Sequence, residues 1–281
     1  MPIHWLGDTD CHDPALVGGK AANLSRLASV FRVPPGFAVS GLRATDAMLA
    51  SDVIESIRSA YATLAAQAGS TDLRVAVRSS ALDEDGASAS FAGQHLTLLN
   101  VTGSEAILDA VQCCRVSAGT DAALRYREAQ GVATDSIEIA VLVQVLVPAD
   151  AAAVAFSANP ITGARDEVVI SANWGLGESI VSGYVTPDTY IVRKSDGSIV
   201  TCDTGAKEVM TVMTDTGTQE VAVPEAMRAR CALTDAETAE IARLAASLEA
   251  AMGYPVDIEC ALAGGDLYLL QCRPITRLPV A

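Results

Sequence analysis

Two alternating segments joined by a glycine turn, Val256 to Ala263 and Leu267 to Thr276, constrain this chain more than any other stretch. Such a pattern predicts a β-hairpin. With Gly264-Gly265-Asp266 as a three-residue connection, Ala263 pairs with Leu267, Glu259 falls opposite Gln271 and Asp257 opposite Arg273. One face then carries four polar groups, while Ile258, Cys260, Leu262, Tyr268, Leu270 and Cys272 turn toward a core. A two-residue turn shifts the register by one and separates Glu259 from Gln271, so the chemical reading rests on the longer connection. A carboxylate beside an amide oxygen suits a hard cation such as Mg2+, and a neighbouring guanidinium suits the phosphates such a cation carries. The alternative is an edge hairpin with a solvated polar face, which is ordinary in antiparallel sheets.

A chain of 281 residues can hold one large domain or two lobes with separate cores, and a hydrophobic content of 50% argues against disorder. Its formal charge of -15 repels nucleic acid and anionic membrane surfaces, so any phosphate site must be a local positive cluster in an acidic protein. Lysine occurs only at Lys20, Lys194 and Lys207. The seven cysteines, Cys11, Cys113, Cys114, Cys202, Cys231, Cys260 and Cys272, form no C-x-x-C pair, and His4, His12 and His95 do not cluster with them. That spacing argues against zinc. The odd cysteine count and the lack of an apolar leader point to a reducing cytoplasm, and no apolar run is long enough to span a bilayer.

Along the chain, apolar positions at helical spacing predict a helix over Lys20 to Ser29, another over about 44–67 and a third over about 104–130. Short apolar runs predict strands at Phe37 to Val39, Leu73 to Arg78, His95 to Val101, Ile137 to Val147, Val154 to Ser157 and Glu167 to Ser171. Asn173 to Gly183 reads as a glycine-punctuated turn, and Thr189 to Arg193 with Ile199 to Cys202 as a hairpin. About 213–233 is polar and carries no clear period. Thr234-Asp235-Ala236-Glu237 offers caps for a helix over about 235–252. The order of elements is α+β and two-lobed, with mixed or antiparallel sheets and flanking helices, not a regular βαβ array.

Four further segments carry candidate chemistry. Gly18-Gly19-Lys20 at a helix start offers free N–H groups, a helix dipole and a lysine to phosphate, although glycines before a helix are also common turns. Arg78 opens a hydroxyl-rich loop from Ser79 to Gly93 that includes Ser90. A loop of that length suits a lid closing over a triphosphate, or else a solvated surface loop with Arg78 in a structural ion pair. The strand end Gln144-Val145-Leu146-Val147 can receive an adenine ring or be a plain core strand. In Asn173-Trp174-Gly175-Leu176-Gly177-Glu178 and Thr186-Pro187-Asp188, the glycines allow close approach to a ligand, and Glu178 or Asp188 can reach a ribose or a metal. Turn geometry explains these glycines equally well.

Taken in order, the motifs resemble the nucleotide-binding domain of the pyruvate phosphate dikinase and phosphoenolpyruvate synthase family, which includes rifampicin phosphotransferases. The matching stretches are Gly18-Gly19-Lys20-Ala21-Ala22-Asn23-Leu24, Val33-Pro34-Pro35-Gly36-Phe37, Val75-Ala76-Val77-Arg78-Ser79-Ser80-Ala81, Ser90-Phe91-Ala92-Gly93-Gln94, Val143 to Val147, Asn173 to Gly183, Pro187-Asp188, and Asp257-Ile258-Glu259 through Leu270 to Thr276. The resemblance implies an ATP-grasp fold that clamps ATP between an N-terminal lobe, residues 1–143, and a C-terminal lobe, residues 144–281. It implies that Gly19, Lys20 and Arg78 hold phosphates under a lid containing Ser90 and Gly93, and that Gln144, Leu146 and Val147 line the adenine pocket. Glu178 and Asp188 would complete the nucleotide contacts. Glu259 and Gln271 would bind Mg2+, and Arg273 would stabilise the transferring phosphoryl group.

Two departures from the family pattern stand out. Ala153 replaces the usual glycine before Val154-Ala155-Phe156-Ser157, which is expected to tighten a turn there. Family enzymes also pass the β-phosphoryl of ATP to a histidine on a separate domain, and none of His4, His12 or His95 lies in that domain's sequence context. The resemblance therefore implies a phosphotransferase working with a phosphohistidine-domain protein and a small-molecule acceptor. A self-sufficient ATP-grasp kinase or ligase and a non-catalytic ATP-sensing module remain as alternatives.

Overall fold

The computed structural model describes residues 2–82, 96–129, 137–276 and 278–279. The lid segment with Ser90 and Gly93 lies outside them. Two compact units are present: Met1–Leu146 with Asp215–Gly217, and Val147–Thr214 with Thr218–Ala281. Both are antiparallel sheets with helices, the α+β class. The chain passes from the first unit to the second between Leu146 and Val147.

The first unit contains β1 (Ile3–Trp5), α1 (Pro14–Leu27), β2 (Gly36–Arg43), α2 (Ser51–Gln67), β3 (Val75–Ala81), β4 (Thr97–Val101), α3 (Ser104–Ser117), α4 (Asp121–Ala129) and β5 (Glu138–Val145). The sheet order is β1-β2-β5-β3-β4. Strand alternation sends Phe37, Val39, Val75, Val77, Val141 and Val143 to one face, where they join Ile57, Leu64, Ile107 and Val111 of α2 and α3 in a closed apolar core. The opposite face carries Ala38, Ala76, Arg78, Leu142 and Gln144. Helix α1 packs on β2, β3 and β5.

Several boundaries differ from the sequence expectation for local reasons. The helix expected over 104–130 is interrupted at 118–120, around Gly119, and the helix expected from 44 begins at Ser51. Ser79, Ser80 and Ala81 belong to β3 and are buried, so this strand runs three residues beyond Arg78, into the segment expected to be loop. Helix α1 starts six residues before Lys20, with Pro14 at its first turn and the Asp13 carboxylate accepting from the Ala15 N–H at 2.9 Å. Gly18 (φ 75, ψ 160) breaks it, so a fresh helical segment starts at Gly19.

The second unit contains β6 (Ala151–Phe156), β7 (Glu167–Trp174), α5 (Glu178–Val181), β8 (Asp188–Arg193), β9 (Ile199–Asp203), β10 (Val209–Met213), β11 (Thr218–Ala222), α6 (Glu225–Arg228), α7 (Asp235–Met252), β12 (Val256–Ala263) and β13 (Asp266–Pro274). Its main sheet runs β13-β12-β6-β7-β8-β9, and β11, inside the stretch that had no clear period, pairs with β10 just before that stretch. The capping box expected at α7 forms: Thr234 accepts from the Glu237 N–H, and the Glu237 carboxylate accepts from the Thr234 N–H at 2.7 Å. Ala153 sits mid-strand in β6, opposite Cys260 and Ala172, so no turn exists there for it to tighten.

Strand pairing sorts this sheet into two chemically different faces. Ile258, Ala155, Ile170 and Tyr190 form a buried row across β12, β6, β7 and β8, and α7 packs on the same four strands. Rows on the other face alternate with it and are mostly half-buried, with Gln271 and Asp257 buried among them. One reads Gln271, Glu259, Val154, Ser171, Thr189, Asp203, and its neighbour reads Arg273, Asp257, Phe156, Val169, Ile191, Thr201.

Candidate functional site: a basic face and a carboxylate–amide rung

The β12–β13 connection is the two-residue turn Gly264-Gly265, with Ala263 paired to Asp266, not the three-residue loop the sequence suggested. Both glycines have positive φ, 58° and 85°, as a tight twisted hairpin turn requires. A bulge then restores the expected pairing: Cys260 faces Leu269, and the next rung is Glu259 with Gln271, leaving Leu270 unmatched. Below it Ile258 pairs with Cys272 and Asp257 with Arg273. The two-residue turn, ahead of the bulge, puts Leu269, not Tyr268 or Leu270, on the buried face with Cys260.

Glu259 and Gln271 thus project from directly opposed positions on the half-open face, one rung of alternation from Asp257 and Arg273. The Arg273 Nε and Nη2 both donate to Asp257 Oδ2, at 2.8 and 2.7 Å. Burial pushes the Asp257 carboxyl above its ordinary value despite the lowering effect of Arg273 and its hydrogen bond, with the Glu259 charge adding to the rise. One carboxylate oxygen set and one amide oxygen suit Mg2+, which takes few protein ligands and keeps its remaining positions for water and phosphate. Among the described residues no group of three or more His, Cys, Asp or Glu side chains is placed to hold a metal. The pair therefore fits a cation delivered with phosphate ligands better than a permanent metal cage.

In the first unit, α1 and β3 are stitched together at the Gly18 break. Lys20 Nζ donates to the Ser79 carbonyl at 2.9 Å, Ser80 Oγ donates to the Val17 carbonyl at 2.8 Å, and the Ala21 N–H donates to Ser80 Oγ at 3.3 Å. A Cβ on Gly18 would lie 2.4 Å from both the carbonyl oxygen and the Oγ of Ser80, so only glycine lets the two segments meet. Arg78 and Gln144 lie on the α1 face of the sheet, with Gln144 opposite Ala76 and Arg78 opposite Leu142. Gln144 Nε2 donates to the Pro34 carbonyl at 3.0 Å. Leu146 is half-buried, its N–H bonded to the Arg74 carbonyl at 2.9 Å, and Val147 begins the second unit.

Asp188 needs correction as a nucleotide or metal ligand. It lies on the α7 side of the sheet, in the row Cys260, Ala153, Ala172, Asp188, opposite in facing to Glu259 and Gln271. Its carboxylate is fully buried and already engaged: Oδ1 accepts from the Gly205 N–H at 2.9 Å and from Lys207 Nζ, and Oδ2 accepts from the Ala232 N–H at 2.6 Å. Asp188 is a scaffold residue. Gly175 is likewise explained internally, since a Cβ there would meet the Thr211 carbonyl oxygen of β10 at 2.4 Å. Glu178 opens α5 and is exposed, with one carboxylate oxygen accepting from Thr218 Oγ1 at 3.1 Å. The buried Lys207–Asp188 pair had no sequence signal, because 19 residues separate the partners and Lys207 stands in no motif.

An α+β chain with a lysine at a glycine-broken helix, an arginine on the strand that helix packs against and a carboxylate–amide rung beside an arginine has the side-chain inventory of a nucleotide-binding domain. Residues 43–281 match the family described as pyruvate phosphate dikinase, AMP/ATP-binding domain, and the chain belongs to that family. A probable phosphoenolpyruvate synthase of Methanocaldococcus jannaschii is 38% identical over 98% of this chain and 27% of that protein. The phosphoenolpyruvate synthase of Pyrococcus furiosus is 41% identical over 81% of this chain and 29% of that protein. A rifampicin phosphotransferase of Streptomyces sviceus is 35% identical over 97% of this chain and 36% of that protein. The chain thus spans well under half the length of each of these three relatives.

Proposed function

We propose that this domain binds Mg·ATP in the manner of an ATP-grasp phosphotransferase and passes the β-phosphoryl group to a histidine on a phosphohistidine domain, leaving AMP and phosphate. The observation that carries the reading is the pair of adjacent same-face rungs, Glu259–Gln271 and Asp257–Arg273, on the half-open side of the β12–β13 hairpin. Glu259 and Gln271 would hold Mg2+, which supplies neutralisation of phosphate charge when bound. Arg273, oriented by Asp257, would face charge developing on the transferring group, because phosphoryl transfer needs mainly positioning and electrostatic stabilisation. In the first unit, Gly19, Lys20 and Arg78 would bind phosphate and Ser90 and Gly93 would belong to the covering lid; Gln144 and Leu146 of that unit and Val147 of the second would contact the base, with Glu178 of the second unit as a further nucleotide contact. The acceptor downstream of the histidine would be a small molecule such as pyruvate or an antibiotic alcohol.

The test combines calorimetry with nucleotide analysis. Mg2+-dependent ATP binding should weaken sharply in Glu259→Ala and Gln271→Ala, while Arg273→Ala should keep most binding and lose turnover. Incubation with Mg·ATP and a phosphohistidine-domain protein should yield AMP. ADP formed with a small acceptor and no partner would replace this reading with a self-sufficient kinase, and ATP binding without turnover under either condition would make the domain a sensor.

A further inference from the structure

The buried row Ile258, Ala155, Ile170, Tyr190 ends at Cys202 on the edge strand β9. The chain returns to this edge just before α7, where the Sγ of Cys231 lies 3.4 Å from that of Cys202. Both backbones are held. Cys202 pairs with Tyr190 in the sheet, while the two residues after Cys231 are buried and anchored, Ala232 N–H to Asp188 Oδ2 at 2.6 Å and Leu233 N–H to Tyr190 Oη at 3.3 Å. Solvent reaches both thiols: Cys202 is exposed and Cys231 half-exposed, whereas Cys11, Cys114, Cys260 and Cys272 are buried. The environment also makes the two unequal. Hydrogen bonds from Thr204, then Cys202 and Tyr190, bring the Cys231 thiol below its ordinary value, while burial and the neighbouring Cys231 push Cys202 up to about 11. Burial pushes Cys11 to about 11 and Cys114 and Cys260 to about 12, which leaves these three inert.

We propose that Cys202 and Cys231 form a reversible dithiol–disulfide site whose oxidant is a small-molecule disulfide. The Cys231 thiolate attacks one sulfur of the oxidant, breaking its S–S bond, forming a mixed disulfide and releasing one small thiolate. Cys202 then gives its proton to solvent, and its sulfur attacks that of Cys231 and displaces the second small thiolate. Two electrons pass from the cysteines to the oxidant, which leaves as two thiols carrying two protons. The sulfurs need only close from 3.4 Å to a bond of about 2.05 Å. The bond ties β9 to the segment entering α7 and so closes the base of the excursion that carries Lys207, β10 and β11.

The experiment is incubation of the full chain with glutathione disulfide, followed by peptide mass spectrometry, with the exposed Cys113 as the reference thiol. The expected product is a Cys202–Cys231 cross-link lighter by two hydrogens and reversed by dithiothreitol, formed before glutathione accumulates on Cys113. Cys202→Ser should stall as a glutathione adduct on Cys231, and Cys231→Ser should lose the fast reaction altogether. Glutathione on Cys113 with no cross-link in the unmutated chain overturns the proposal, as does Cys202 in Cys231→Ser reacting as fast as in the parent. The unmutated chain decides the outcome even if a variant fails to fold.

Discussion

Gly18→Ala should be among the most damaging single-methyl additions to the first unit. The residue has φ 75 and ψ 160, a region open essentially to glycine, and forcing another residue there costs about 1–3 kcal/mol. The added Cβ would also stand 2.4 Å from the Ser80 carbonyl oxygen and from Ser80 Oγ. The first of these is strand backbone bonded into the centre of the sheet, so relief requires α1 to move off β3, at an overpacking cost of about 1–3 kcal/mol. The sum is about 2–6 kcal/mol, against a total of about 5–15 kcal/mol for a typical domain. Gly69 provides the control: its φ is +63 and a Cβ there meets nothing within 4 Å, so Gly69→Ala should cost only the left-handed strain of about 1–2 kcal/mol. Urea unfolding followed by tryptophan fluorescence measures both variants in a Trp174→Phe background, which leaves Trp5 as the sole tryptophan and a reporter of the first unit. Equal midpoint shifts for the two variants would refute the claim that contact with Ser80 fixes the helix break. Displacing α1 also carries Lys20 away from the Ser79 carbonyl, so under the proposed function ATP affinity should fall in Gly18→Ala and not in Gly69→Ala.

In the second unit, Asp188→Ala should destabilise by about 3–5 kcal/mol because Lys207 is left buried without its counter-charge, and Asp188→Leu with Lys207→Met should recover much of that loss; denaturation midpoints of the single and double variants check this. Gly175→Ala pairs positive φ, 72°, with a Cβ only 2.4 Å from the Thr211 carbonyl oxygen, so a loss of about 2–4 kcal/mol is expected, visible in the fluorescence of the adjacent Trp174. Asp257 has its folded pKa raised above the ordinary 3.8, so its contribution to stability is fully present below that value and is lost as pH rises through the folded pKa. Stability measured from pH 4 upward should accordingly fall in the parent relative to Asp257→Asn, and parallel profiles would remove the burial effect assigned to this carboxyl.

Local signals in the sequence found most elements because each has a short-range cause. The α7 start was legible from Thr234 and Glu237, whose reciprocal bonds depend only on spacing within one turn. The apolar runs at β3 and β5 were legible because a strand at the centre of a sheet is buried on both faces. What escaped was set by partners distant in sequence. Within the polar stretch 213–233, β11 pairs with β10 alone among the described strands, and such a ribbon edge needs no apolar alternation. Gly175 looked like a ligand contact and instead admits the Thr211 carbonyl, and Asp188 looked like a ligand while the fold turns it toward Lys207. A sequence shows which residue types are unusual, but not whether their partner is a ligand or another segment of the same chain.

The terminal hairpin makes the same point about the site itself. Two turn lengths were compatible with Gly264-Gly265-Asp266, and the shorter one forms, which by strict alternation would separate Glu259 from Gln271. The bulge at Leu270 cancels that shift between the turn and the polar rungs. Upstream of it, Leu262 and Leu269 face the core in the register set by the turn; downstream, Glu259–Gln271 and Asp257–Arg273 face the open side in the register set by the bulge. With Leu270 between Leu269 and Gln271, this hairpin combines a tight glycine turn with a same-face pair of polar rungs by leaving one residue unmatched between them. Deleting Leu270 would remove the bulge and join Leu269 directly to Gln271, which then fills the position opposite Glu259, so both polar rungs keep their register and their face while the turn and the Cys260–Leu269 rung stay intact. Mg2+-dependent ATP binding should therefore survive in a deletion variant that retains its fold, and loss of that binding would show that the pairing of the rungs does not by itself carry the nucleotide site.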